Sequence, residues 1–342
     1  MQAVQYTAFG QRPELVEVEK PTPGPGEVLL RITASGLCHS DEVVMSFPEE
    51  GYPYPMPMTL GHEPAGVVEA LGEGATGVEI GDSVIVYGCW GCGVCAMCAS
   101  GREQLCLKGM VSPGLGVDGA MAEFMIVDTA RHLVPIGDLD PVRAASLTDA
   151  ALTPYQAIKK VLPHLMGGST AVVIGAGGLG HVAIQLLRTL TSARVIALDV
   201  GDEKLEFARE MGAHEAIESN AGAAARIKEL TDGVGADVVF DFVGIDPTGA
   251  TALAAVKVAG AVVLVGAGGG TAKVGFMAAP FDVEVRTSLW GTRASLIELV
   301  EMAHRGEIRI ETQEYPISKA LQAYADLHDG KVRGRAVVVP GA

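Results

Sequence analysis

Basic residues are scarce in this chain. Twenty-five Lys and Arg stand against forty-one Asp and Glu, a formal net charge of −16 over 342 residues. A long-range field of that sign repels phosphate polymers and anionic membrane surfaces, which excludes nucleic acid and membranes as expected partners. Uninterrupted apolar runs are missing too. The longest candidate, AVVIGAGGLGHVAIQLL from Ala171, is broken by glycines and a histidine and has no membrane flanks. The opening MQAVQYTAFG has neither a basic stretch nor an apolar run, so no secretory signal is expected and a cytoplasmic protein is the default. Cysteine is absent after position 106. All six thiols lie between residues 38 and 106, and in a reducing compartment they point to metal or catalysis rather than disulfides.

Four of those six form C-x2-C-x2-C-x7-C: Cys92, Cys95, Cys98 and Cys106. Short loops at this spacing can wrap four thiolates into the tetrahedron that Zn²⁺ accepts, and a closed thiolate shell has no room for substrate. The expectation is a structural zinc lobe at about residues 89–110. An iron–sulfur cluster is the competing reading, disfavoured by the glycines that frame the lobe and by the lack of a following Cys-Pro. Cys38 and Cys89 lie outside this set. Cys89 reads as a small buried hydrophobe or a spare ligand, and Cys38, in GLCHSD, as a nucleophile, a metal ligand or a core residue.

A second signal occupies the middle of the chain. TAVVIG, residues 170–175, reads as a buried parallel strand, and the glycine fingerprint GAGGLG runs through Gly175, Gly177, Gly178, Leu179 and Gly180 into a helix. The context is that of a dinucleotide site, because a second strand, RVIALD, ends at Asp199, 24 residues after Gly175. Its carboxylate can accept from an adenosine ribose and repels a 2′-phosphate, and no arginine follows, which favours NAD over NADP. Helices at 202–211, 221–231 and 247–258 alternate with strands in AIES, ADVVFDFVG and AVVLVGAGGG. They predict a doubly wound parallel sheet from about residue 152 to 290. The Gly turns at Val243 and Gly266 are expected beside a bound nicotinamide, the alternative being turns that serve only the backbone.

Before this region, short apolar strands alternate with Pro and Gly turns, and RAVVVP near the C-terminus is again strand-like. The expectation is an all-β domain of residues 1–151 and 291–342 and an α/β Rossmann domain of residues 152–290.

GLCHSD, GHE at 61–63, the four-cysteine lobe, SLTDAALTPYQA, GAGGLG and GRAVVVP occur in the order found in zinc-dependent medium-chain alcohol dehydrogenases. The chain resembles that family over nearly its whole length, and most of all its bacterial NAD-dependent secondary alcohol dehydrogenases. The resemblance implies a GroES-like β domain joined to the Rossmann domain, with the active site in the cleft, and two Zn²⁺ per chain. It implies a catalytic zinc on Cys38, His62 and a third ligand, Asp149, with Glu63 and Cys89 as alternatives. Asp41 and Glu63 would lie behind these ligands. Ser40 and His39 would relay a proton to solvent while hydride passes reversibly between substrate and NAD. Lys204 matches an adenosine-ribose lysine and Arg335 a pyrophosphate arginine. Val43, Tyr54, Leu115, Leu289 and Trp290 match pocket positions. They are mostly apolar, which suits an uncharged small alcohol or ketone, secondary alcohols foremost. A polyol or aldehyde dehydrogenase is the alternative enzyme, and a non-catalytic NAD-binding redox sensor the alternative of another class. A homodimer, or else a homotetramer, is the expected assembly.

Overall fold

The computed structural model describes residues 1–341, which fall into two compact units: Met1–Leu152 together with the C-terminal stretch from Gly291, and Thr153–Trp290. In the first unit a sheet runs in the order Leu133–Pro135, Ser83–Val86, Glu63–Leu71, Val28–Gly36, Arg335–Val339, Thr312–Pro316, with Phe124–Val127 also paired to Val28–Gly36. Val28–Gly36 is buried at nearly every position, because it is the strand on which the others assemble. Two apolar clusters flank the sheet. One gathers Tyr6, Leu37, Met58, Leu60, Met121, Tyr324 and Val338; the other gathers Val28, Leu30, Val68, Val84, Val86 and Trp90.

Strand register decides which chemistry meets. Gly36 pairs with Glu63 in the antiparallel ladder between Val28–Gly36 and Glu63–Leu71, so Cys38 and His62 both emerge just beyond that pair, at one end of the sheet. On the other side of the central strand Val337 pairs with Gly36, which brings Arg335 to the same end from a position near the C-terminus. Gly36 is required there: a Cβ on it would stand 2.0 Å from Glu63 Oε2 and 2.6 Å from Ser146 Oγ.

The second unit is a six-stranded parallel sheet in the order Glu215–Glu218, Arg194–Asp199, Thr170–Ile174, Ala236–Asp241, Val256–Leu264, Glu284–Thr287. The chain builds outward in one direction from Thr170–Ile174, then crosses back to Ala236–Asp241 and builds in the other. The gap between those two strands is therefore the topological switch point, where open α/β sheets bind ligands outside the carboxyl strand ends. Thr170–Ile174 is buried throughout, as its β-branched run requires.

The helix expected over 247–258 ends at Ala255 instead, and Val256 opens the next strand. β-Branched Val256 and Val258 favour the extended backbone, and a register shift between Ala236 and Val238 with Ala259 at φ 56° absorbs the early start. That strand stops at Leu264, so the glycines of AVVLVGAGGG form a turn rather than strand. Glu284–Thr287 is an edge strand that the sequence pattern did not single out. Among the described residues no helix is long and apolar enough to cross a membrane.

Candidate active site and metal centres

Two groups of metal-competent side chains lie within the first unit: Cys92, Cys95, Cys98 and Cys106, and Cys38, His62, Glu63 and Asp149, each with ligand atoms within 4.8 Å of one another. The cysteine lobe has the shape of a tetrahedron. A Zn–S bond of about 2.3 Å implies sulfurs about 3.8 Å apart, and the observed separations are 3.5 Å for Cys95–Cys98 and 4.0 Å for Cys92–Cys98 and Cys95–Cys106. Backbone N–H groups of Cys98 and Leu107 pull the Cys95 thiol down to about 6, while burial pushes Cys98 up to about 12. A thiol lowered by backbone donors is a ready thiolate ligand. The lobe is fastened through Glu103, whose carboxylate accepts from Gly91 N at 3.1 Å and from Arg131 Nη1 at 2.9 Å.

The second group is buried throughout, and it brings together residues from three separate parts of the chain. Cys38 precedes the helix His39–Ser46 and closes the end of the central strand. His62 directs Nδ1 at Asp41 Oδ1, 2.9 Å away, and Nε2 at Asp149 Oδ2, 3.8 Å away. Asp41 is itself fixed by Cys38 N at 3.3 Å and by the hydroxyl of Tyr324 at 3.4 Å. A carboxylate on one ring nitrogen selects the tautomer that leaves the other free for a metal. Asp149 Oδ2 lies 3.5 Å from Cys38 Sγ. One sulfur, one nitrogen and one carboxylate oxygen at these separations are a three-ligand set of the kind catalytic zinc sites use, with a position to spare.

Glu63 completes the group but is held by Arg335, which donates through Nη2 and, at 3.1 Å, through Nε. Burial pushes the Glu63 carboxyl up to about 7 even against the pull of that guanidinium. Arg335, for which the resemblance implies a pyrophosphate contact, is buried in the first unit with its guanidinium on Glu63 and Asp149. Cys89 is fully buried and lies outside the four-residue group. Ser40 Oγ is 3.5 Å from Cys38 Sγ and half-buried, and the neighbouring His39 is exposed. Tyr54 and Leu115 pack against the apolar cluster that contains Leu37 and Met121. Gly114, next to Leu115, abuts the backbone of Gly61, which precedes His62. Val43 is half-buried on the helix after Cys38. Leu289 and Trp290, the one exposed and the other buried, end the second unit.

In the second unit the fingerprint glycines each show a separate reason for lacking a side chain. Gly175 has φ 87°, a Cβ on Gly180 would lie 1.7 Å from Gly175 O, and Gly177 faces open space. These match the tight turn, the close packing and the approach to a pyrophosphate that the motif demands. Asp199 accepts from Ala176 N at 2.6 Å and from Val200 N at 2.7 Å, with Lys204 Nζ at 3.8 Å. Gly178 and Leu179 complete the loop, and Val243 packs on it: its Cγ2 stands 2.8 Å from where a Gly175 Cβ would be. Sequence reasoning missed His181, which is buried and donates from Nδ1 to Gly177 O at 2.9 Å. Its place directly after the fingerprint was the available signal. It missed Tyr324 too, for which no local pattern exists.

Comparison with known proteins agrees with this geometry. Residues 24–138 match the alcohol dehydrogenase GroES-like domain and residues 178–305 the zinc-binding dehydrogenase domain. The chain is 33% identical to a D-arabinose 1-dehydrogenase (NADP(+)) of Saccharolobus solfataricus, over 97% of this chain and 95% of that protein. It is equally identical, at 33%, to an NAD-dependent alcohol dehydrogenase of Sulfurisphaera tokodaii, over 99% of this chain and 100% of the relative. The solved alcohol dehydrogenase of Aeropyrum pernix superposes with a TM-score of 0.93 at 33% identity, covering 99% of this chain and 100% of that one. The chain belongs to the zinc-type medium-chain alcohol dehydrogenase family and is a zinc oxidoreductase acting on alcohols.

Proposed function

We propose that this enzyme interconverts small, mostly apolar alcohols and their ketones with NAD(H). In this reading Cys38, His62 and Asp149 hold a catalytic zinc, and the four lobe cysteines hold a structural one. The observation that carries it is the buried Cys38–His62–Asp149 set, with His62 oriented by Asp41. Zinc, when bound, supplies Lewis acidity toward the substrate oxygen, and nicotinamide supplies the hydride acceptor or donor. Asp41 keeps the Nε2 lone pair of His62 turned into the site. Ser40, half-buried beside Cys38, would take the proton of the substrate hydroxyl as it gives up its own, and exposed His39 would deliver a proton to water. Asp199, Lys204 and the fingerprint glycines hold the adenosine ribose and pyrophosphate, and Val243 and Gly266 flank the nicotinamide. The carboxylate of Asp199 favours NAD, the cofactor named for the Sulfurisphaera relative but not for the arabinose enzyme. Val43, Tyr54 and Leu115 make the first unit apolar around Cys38 and His62, and Leu289 and Trp290 add apolar side chains at the end of the second, which suits an alkyl or aryl secondary alcohol better than a sugar.

The test is one sample of full-length protein with zinc quantified and NAD reduction followed over secondary alcohols, polyols and aldoses. Two zincs per chain and preference for secondary alcohols are expected. Preference for aldoses or polyols would overturn the substrate class, and one zinc per chain without turnover would overturn the enzyme reading.

The assembly we propose is a homodimer formed through the edge strand Glu284–Thr287. In an antiparallel self-pair centred on Val285, Glu284 of each copy would face Arg286 of the other, and Phe276 and Met277, 84% and 83% exposed, would gain cover. Light scattering of wild type and of Val285→Pro tests this. The free state of all six cysteines is what a reducing cytoplasm would maintain.

A further inference from the structure

Asp241 ends the strand on the far side of the switch point from Asp199 and has no exposed surface. Its side chain organises the turn that follows: Oδ1 accepts from Val243 N and Gly244 N, both at 2.9 Å, and Oδ2 accepts from the Thr248 hydroxyl at 2.8 Å. Its carbonyl accepts from Val265 N at 2.9 Å and Gly266 N at 3.0 Å, in the turn after the neighbouring strand. One residue therefore receives five donors, four from two different turns and one from the helix Asp246–Ala255.

Those turns interlock with no side chain between them. Gly244 has φ 74°, a Cβ on it would lie 2.1 Å from Gly266 O, and a Cβ on Gly266 would lie 2.2 Å from the Val243 carbonyl carbon. Such contact tolerates no drift, since a displacement of a few tenths of an ångström in one turn is transmitted to the other. Dinucleotides lie across the carboxyl ends of the strands at the switch point. With the adenosine end at Asp199, the nicotinamide end falls at the ends of Ala236–Asp241 and Val256–Leu264.

Building on the NAD site proposed above, we infer that Asp241 is a positioning residue for the nicotinamide half of the cofactor. It touches no cofactor atom. It acts by holding Val243 and Gly266 in one rigid wall, while Asp199 and the fingerprint hold the adenosine diphosphate half. A carboxylate that merely capped the helix Asp246–Ala255 would affect stability and both halves of the ligand alike.

The experiment compares the affinity of the zinc-loaded, full-length protein for NAD⁺ and for ADP-ribose, which lacks only the nicotinamide, by calorimetry. Asp241→Ala leaves two half-buried N–H groups without their acceptor and is expected to weaken NAD⁺ by about tenfold or more and ADP-ribose by less than about twofold. Asp241→Asn should restore NAD⁺ affinity, because its amide oxygen still faces both N–H groups and its NH₂ meets Thr248 Oγ1, which can donate to Ile245 O instead. Should Asp241→Ala fail to fold, Gly244→Ala forces the same turns apart with the carboxylate in place and should show the same selective loss. Equal losses for both ligands, or unchanged NAD⁺ affinity in a folded variant, overturn the inference. Wild-type protein that binds neither ligand overturns the NAD reading beneath it.

Discussion

Arg335 Nη2 and Asp149 Oδ2 meet at 3.0 Å, on the same oxygen that faces Cys38 Sγ at 3.5 Å and His62 Nε2 at 3.8 Å. A single carboxylate oxygen thus stands between a fixed cation and the position a metal would take. Arg335 is buried and shared with Glu63, so a single guanidinium offsets part of the charge of two buried carboxylates.

Asp149 is the most decisive of the proposed ligands. Cys38 thiolate, neutral His62 and Asp149 carboxylate contribute two negative charges to balance Zn²⁺. Asp149→Ala is expected to hold one zinc per chain and to lose most activity, whereas Asp149→Cys restores charge and donor and should keep two zincs with measurable turnover. Retention of two zincs and near-normal turnover by Asp149→Ala would remove it from the ligand set.

Cofactor choice should respond to Asp199. Asp199→Gly removes the proposed ribose acceptor, a negative charge and the anchor of Ala176 N. Catalytic efficiency with NAD should drop about 10- to 100-fold, the size of lost charge-assisted hydrogen bonds, while NADP use rises. An unchanged ratio of the two efficiencies places Asp199 away from the cofactor.

The two metal centres should separate by their readouts. Cys95→Ser is expected to lower the melting temperature by about 10 °C or more, because structural zinc contributes directly to folding. Cys38→Ser should abolish turnover with a melting curve close to wild type. A Cys95→Ser protein as stable as wild type and with full zinc content would refute the structural assignment.

Acid should compete with the catalytic metal. Burial alone would lower His62, but Asp41 and the bond to Asp149 hold it well above its ordinary value when no metal is present. The proton then occupies the nitrogen a metal needs. Below that raised value, zinc affinity should fall about tenfold per pH unit for each proton displaced, and recover as pH rises. Chelator competition between about pH 5.5 and 8 measures this; an affinity that stays flat across the range would exclude His62 as a ligand.

Local motifs were legible because their chemistry is local. The lobe cysteines span fifteen residues and need only loops to converge, and the fingerprint glycines carry their reasons within one turn and one strand end. Family resemblance supplied the distant members, Cys38, His62 and Asp149. What brings Cys38 and His62 together physically is strand register, Gly36 opposite Glu63, which no composition or periodicity encodes. The ladder on the other side of Val28–Gly36, in which Val337 pairs with Gly36, sets Arg335 on Glu63 and Asp149. Asp241 carried no local signal, since its five donors come from two turns and the helix after one of them, which lie together only when neighbouring strands pair in parallel. The sequence by itself determined residue type, local turn and period; tertiary structure decided which buried charges share an oxygen, because ladder register and packing are sums over contacts distant along the chain.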